Sequence, residues 1–272
     1  MTTFTISYGK AAVPVYRHGE ASVLAAEVDV EVFGENFLPA YTEGDNSAVV
    51  ATDSIKNFVL RETGTWAGGT LEGLLDHLGR RLLATYEQME GLRVTGRELR
   101  FDPAGSSGVL FSRSHDDHDV AVLDFAREGN GAWIARHRCE RQGLELLKLT
   151  GSAFTSFVRD GYTTLPERRD RPLYVGLDVG WRYDDVADAV AGGPRHVPGA
   201  GVRATCVEVF DRFVSESIQH LVNEMGGVLL ERFPSLAEVS FVARNMTRDP
   251  AGDDVYTDPF PAHGTITLTL AR

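Results

Sequence analysis

A chain of 272 residues is long enough for two domains or two packed halves. Its 43% hydrophobic and 24% charged residues are those of an ordinary globular protein, and no apolar run approaches the roughly 18 residues of a membrane-spanning helix. A net charge of −12 argues against nucleic acid or an anionic membrane surface as partner, and it means that an anionic ligand would need a local cationic pocket.

The predicted elements begin with period-two alternation. Phe4, Ile6 and Tyr8 alternate with Thr5 and Ser7. Ala26, Val28, Val30 and Val32 alternate with Glu27, Asp29 and Glu31, the pattern of a half-buried antiparallel strand. A short apolar strand is expected over 47–50, running into a helix that starts at Thr52-Asp53 and carries Ile55, Phe58 and Val59 at helical spacing. A helix start leaves backbone N–H groups unpaired and carries a partial positive charge. Thr52 and Asp53 therefore offer a hydroxyl, a carboxylate and amides in one small space, either as a simple helix cap or as a site for an acidic, flat, polar molecule. A Gly-rich turn follows over 64–69. Thr70 then caps a second helix with Leu71, Leu74, Leu75, Leu78, Leu82, Tyr86 and Met89 on one face. Strands are expected over 92–101 and 120–125, with a loop over 102–108.

The second half repeats this order. Strands are expected over 132–138, 144–149 and 173–180, then a polar loop over roughly 183–201. A helix follows over 204–213. Ser215 is placed to cap another, with Ile218, Leu221, Val222, Met225 and Leu229 inward, and strands end the chain at 236–243 and 265–270. Each half thus reads strands, two helices, strands, which predicts an α+β fold with helices across antiparallel sheets. The Gly-rich turn at 127–131 places the boundary between 1–129 and 130–272. Cys139 and Cys206 form no CxxC pair and are expected to be free thiols. The first residues, MTTFTISYGK, show no signal-peptide core, and LTLAR is no peroxisomal address, so cytoplasm is the expected location.

Several segments taken together carry a resemblance: Ser7-Tyr-Gly-Lys10 with VPVYR, GDNSAVVATDSIKN over 44–57, FTSFVRDGYTTL from Phe154 running on to Arg171, Ser217-Ile218-Gln219, and Asn245. In order and spacing this resembles the urate oxidase (uricase) family, enzymes that oxidise a purine with dioxygen and no cofactor. The resemblance implies tandem tunnelling-fold repeats assembled into an oligomeric barrel, with four subunits and active sites at their interfaces. It implies that Lys10 and Thr52 come from one subunit and Phe154, Arg171 and Gln219 from its neighbour. By the same resemblance Arg171 clamps the substrate, Phe154 stacks on it, and Ile218 and Gln219 meet its pyrimidine edge. Thr52 and Asp53 bind the imidazole side through the backbone, and Asn245 holds dioxygen or water. These roles suit the residue types. A guanidinium is a planar bidentate donor, an amide both donates and accepts, and a desolvated lysine can serve as a base.

One position departs from the family pattern. Two residues after Asn245, where a histidine is usual, this chain has Thr247, which can pass a proton but not store one near neutral pH. His263 is a substitute by residue type alone, and by context it belongs to a turn. His115 and His118, among Asp116, Asp117 and Asp119, invite a metal reading, but their spacing is loose and their context a loop. No metal is expected. Alternatives are a zinc-dependent pterin-handling enzyme of the same fold, or a purine-binding homologue that has lost activity. If Lys10, Thr52 and residue 247 form a proton relay, Thr247→His should keep or raise turnover. A severe loss in steady-state kcat would instead give Thr247 a role of its own.

Overall fold

The structure, a computed structural model, describes residues 6–272 except 20, 21, 130, 247, 249, 254 and 258–260. It resolves into two compact units, residues 1–139 with 185–196 and residues 140–184 with 197–272.

In the first unit β1 (Ser7–His18) pairs antiparallel with β2 (Val23–Phe33), and a short helix α1 (Leu38–Thr42) precedes α2 (Thr52–Thr65) and α3 (Leu71–Thr85). Strands β3 (Gly91–Glu98), β4 (Phe101–Pro103), β5 (Phe111–Arg113) and β6 (His118–Glu128) follow, and β7 (Gly131–Lys148) leaves this unit for the second. The sheet order is β1-β2-β3-β6-β7, and β4 with β5 forms a separate hairpin. Helix α4 (Val186–Val190) returns to this unit from later in the chain.

Alternation dictates the layering. On β2, Ala26, Val28, Val30 and Val32 are all at most 2% exposed and face the helices. Helix α3 meets them with Leu74, Leu75, Leu78 and Leu82, all fully buried. Each such side chain contributes about 1.5–3 kcal/mol by leaving water. The opposite face of the sheet is charged and partly open. Arg93 lies between Glu31 and Asp124 in register and donates to both Asp124 oxygens at 2.6 and 2.9 Å, while Arg97 pairs with Asp29 at 2.6 Å. A one-residue slip would bury these charges, so the two faces together fix the register.

In the second unit β7 continues beside β8 (Leu173–Tyr183), which pairs antiparallel with β9 (Leu236–Asn245), and β9 pairs with β12 (Gly264–Ala271). Helix α5 (Gly199–Arg212) packs on α6 (Ile218–Arg232), which lies against β9 and β12. A small hairpin of β10 (Pro250–Gly252) and β11 (Val255–Tyr256) precedes β12. Val175, Leu177, Val179 and Trp181 on β8 and Leu221, Val222, Met225 and Leu229 on α6 are buried.

Five expectations are corrected. Residues 47–50 form a turn rather than a strand, because Ser47 N–H donates to Asp45 Oδ1 (2.9 Å), Val49 N–H to Asn46 O (3.0 Å) and Val50 N–H to Tyr8 Oη (3.1 Å). Local and side-chain acceptors take the donors that a strand partner would have used. The two strands expected over 132–138 and 144–149 are one strand, β7. Gly143, at φ 76°, absorbs an irregularity there and donates its N–H to Asp178 Oδ1 at 2.8 Å. Helix α6 is capped by Ser217, which accepts from His220 N–H, and not by Ser215. Ser215 is fully buried and bridges to Ser152. Finally, α5 begins at Gly199, inside the expected loop, and Gly64 belongs to α2. Thr70 does cap α3, accepting from Gly73 N–H at 3.2 Å.

Gly79, inside α3, makes a specific prediction. Alanine is ordinarily the better helix former by about 1 kcal/mol. Here an added Cβ would meet the buried ring of Phe125 at 2.3 Å. Gly79→Ala should therefore destabilise by about 1–3 kcal/mol, read as a lowered Tm in thermal denaturation, rather than stabilise.

Candidate active site

The first unit gathers Lys10, Thr52 and Asp53. Lys10 lies on β1 immediately before a bulge, where the register with β2 shifts between Lys10 and Val13 and Ala12 adopts φ 54°. Ala12 N–H donates to Asp29 Oδ1 at 2.7 Å, which holds the bulge in place. Bulges re-aim neighbouring side chains, so this one fixes the direction of Lys10. The Tyr8–Val50 hydrogen bond ties the same strand to the residues just before α2. Thr52 and Asp53 are the first two helical residues, and both are exposed.

Neither residue caps the helix. The N-cap is Ala51, and no side chain accepts from the first turn. Asp53 is occupied elsewhere, accepting from Lys56 Nζ at 2.6 Å and from Asn57 Nδ2 at 2.9 Å. The bond from Lys56, supported last by the charge of Lys10, holds the Asp53 carboxyl below the usual carboxylate range. The capping alternative is thereby overturned. The first-turn amides keep their outward N–H groups and the helix its positive end, worth about 0.3–1 kcal/mol toward a nearby anion.

The second unit gathers Phe154, Arg171 and Asn245. Phe154 and Arg168 exchange backbone hydrogen bonds at 2.7 and 2.9 Å, and Arg171 N–H donates to Ser152 O at 2.9 Å. This folds the chain back on itself and sets the Arg171 guanidinium 5.7 Å from the Phe154 ring centroid. The Phe154 ring also stacks on Phe157 at 4.9 Å. Arg171 and Asn245 line one cavity of about 170 Å³ together with Arg168, Asp170, Tyr174 and Arg248. Arg171 Nε and Asn245 Oδ1 are buried without a hydrogen-bond partner among the described residues. Desolvation first, and then the charge of Arg168, lower the pKa of Arg171. Asp170 does not neutralise this charge. It accepts from the N–H groups of Gly151 (2.7 Å) and Ser152 (3.4 Å), and the Gly151 bond foremost keeps it ionised.

Ile218 and Gln219 open α6. Ser215, three residues before Ile218, accepts from Ala153 N–H at 2.8 Å and donates to Gly151 O at 3.2 Å, so the start of α6 is tethered to the segment that carries Phe154. Ile218 spends its side chain on the core, at 4% exposure, leaving its backbone for any ligand, and Gln219 is exposed. Thr247 lies outside the described residues. His263 is exposed in the loop before β12, with Nδ1 2.9 Å from Pro261 O. In the first unit Arg100 reaches Asp117 at 3.2 Å. Among the described residues no cluster of His, Cys, Asp and Glu has a metal-holding arrangement. The sequence reading passed over Arg168 and Arg248, although an arginine three residues before Arg171 and another three residues after Asn245 stand in the sequence.

Comparison with known proteins gives the fold and the family. The fold matches, with a TM-score of 0.93, a hyperthermostable mutant of the urate oxidase of Bacillus sp. TB-90, at 33% identity over 98% of this chain and 99% of that one. This is the α+β tunnelling fold. The sequence profile of uricase matches residues 140–250. A uricase of Haloferax volcanii is 40% identical over 93% of this chain and 92% of its own length. The uric acid degradation bifunctional protein PucL of Bacillus subtilis is 36% identical over 98% of this chain, which spans 61% of that protein's length. The chain belongs to the uricase family.

The buried charge at Arg171 predicts a trade between stability and binding. Arg171→Met removes a desolvated cation beside another cation and leaves a side chain of similar reach. Its Tm should be unchanged or higher while affinity for an anionic purine falls by at least about tenfold. A lowered Tm with unaltered affinity would make Arg171 a structural residue.

Proposed function

We propose that the chain is a urate oxidase that converts urate, dioxygen and water to 5-hydroxyisourate and hydrogen peroxide. Urate gives up two electrons, dioxygen takes them to become peroxide, and water supplies the new hydroxyl, so atoms and electrons balance. The observation that carries this reading is that Arg171 and Asn245 line one small cationic cavity, with Arg171 Nε and Asn245 Oδ1 buried and without a hydrogen-bond partner among the described residues. A buried donor and a buried acceptor are costly to leave unpaired, and they favour a ligand that offers the complementary groups. A flat acidic purine does.

The roles follow from position. Arg171 clamps a carbonyl and a ring nitrogen through its planar fork, and the ring of Phe154, beside Arg171, is the aromatic partner of the purine. Gln219 and the backbone of Ile218 meet the pyrimidine edge. The outward amides at Thr52 and Asp53 receive the imidazole side, which is where negative charge favours a helix start. Lys10 and the Thr52 hydroxyl move the proton, with Thr247 in line, and Asn245 holds dioxygen or water over the ring. Urate so bound is electron-rich enough to reduce dioxygen without a bound cofactor.

Lys10, Thr52 and Asp53 belong to one unit and Arg171, Phe154 and Asn245 to the other. We read residues 1–129 and 130–272 as the two tunnelling-fold repeats. The assembly is a homotetramer in which one subunit brings Lys10, Thr52 and Asp53 to the Arg171 cavity of its neighbour. The exposure of Thr52 and Asp53 supports this reading, since a ligand-holding helix start must be covered when occupied. The expected location is the cytoplasm.

Metal-stripped protein mixed with urate in air should bleach urate absorbance, consume oxygen and release one peroxide per urate. Tight binding of urate without oxygen uptake would refute the catalytic reading.

A further inference from the structure

We propose that Arg248 is a second substrate-binding cation of the Arg171 cavity, one that pairs with the anionic purine alongside Arg171. The inference rests on the reading of this chain as a urate oxidase and extends it to a residue outside the set assigned above. Asn245 ends β9, and Arg248 stands three residues beyond it on the same cavity wall. Its Nε is buried and finds no hydrogen-bond partner among the described residues. Its guanidinium lies 4.9 Å from the centroid of the Tyr174 ring, and the Tyr174 hydroxyl is itself anchored on Glu145. A guanidinium laid on an aromatic face uses its π surface for that contact and keeps its in-plane N–H groups for an acceptor. Arg171 is mounted in the same way, over Phe154 at 5.7 Å.

Two ring-backed guanidinium groups therefore share one cavity, with Arg168 as a third cation. The lining carboxylate, Asp170, is committed to the backbone amides of Gly151 and Ser152. Arg171 loses hydration and is opposed by the charge of Arg168, and an anion relieves both costs. In a chain of net charge −12, such a pocket also supplies the local positive potential that an anionic substrate needs. A purely structural Arg248, packed on Tyr174 for its own sake, would have no need of a cavity lined by two further arginines.

The test is titration of urate into the full chain under nitrogen, where binding occurs without turnover, by calorimetry at low and high ionic strength. Arg248→Met should weaken binding roughly tenfold or more, flatten the salt dependence, and leave the Tm close to that of the parent. Arg248→Lys, which keeps the charge but not the fork, should recover part of the affinity. Affinity within about twofold of the parent at both salt concentrations would overturn the assignment. If Arg248→Met does not fold, Arg248→Gln is judged by the same criterion. Failure of the parent protein itself to bind urate would instead sink the urate oxidase reading, and this proposal with it.

Discussion

The cavity of the second unit is organised around one uncomfortable group. The Arg171 guanidinium is half-buried, faces the like charge of Arg168, and has an Nε without a hydrogen-bond partner among the described residues. A protein keeps such a charge only where surrounding structure over-determines its position. Here that structure is a chain reversal. Phe154 and Arg168 exchange backbone bonds, Arg171 bonds to Ser152, and Ser152 bridges to fully buried Ser215. Residues far apart in sequence are thus clamped to one another, and the guanidinium is presented on an aromatic ring.

The same logic appears in the first unit with opposite means. There the charge is the fractional one of a helix start, and the nearest carboxylate is occupied elsewhere. Asp53 accepts from Lys56 and Asn57, so it does not turn inward to satisfy the first-turn amides. The Lys10 bulge and the Tyr8–Val50 bond set the lysine and the helix start as parts of one rigid construction. In both units the apolar layer between sheet and helices provides stability.

Much of the fold was legible in residue order. Alternation on 26–32 and the leucine stripe of α3 gave strand, helix and buried face, because period two and period 3.6 leave few other ways to hide apolar side chains. The motif segments around Lys10, Thr52, Phe154, Arg171, Ser217 and Asn245 indicated the family, which the close relatives establish. What misled were local signals that tertiary partners outweighed. The apolar run before Thr52 became a turn because Asp45 and the Tyr8 hydroxyl claimed its amides, and Ser215 gave up a capping role to a buried bridge with Ser152.

The sequence alone determined the α+β class, the paired helices, and which residue types are chemically able to hold a flat acidic purine. Only the tertiary structure decided that Asp53 is held away from its own helix start, that Ile218 turns its side chain to the core, and that Arg168, Arg171 and Arg248 meet in one cavity. The reason is physical. Secondary-structure periodicity is carried by neighbours a few residues apart, whereas burial, desolvation and the loss of a hydrogen-bond partner depend on segments that meet only after the chain has folded.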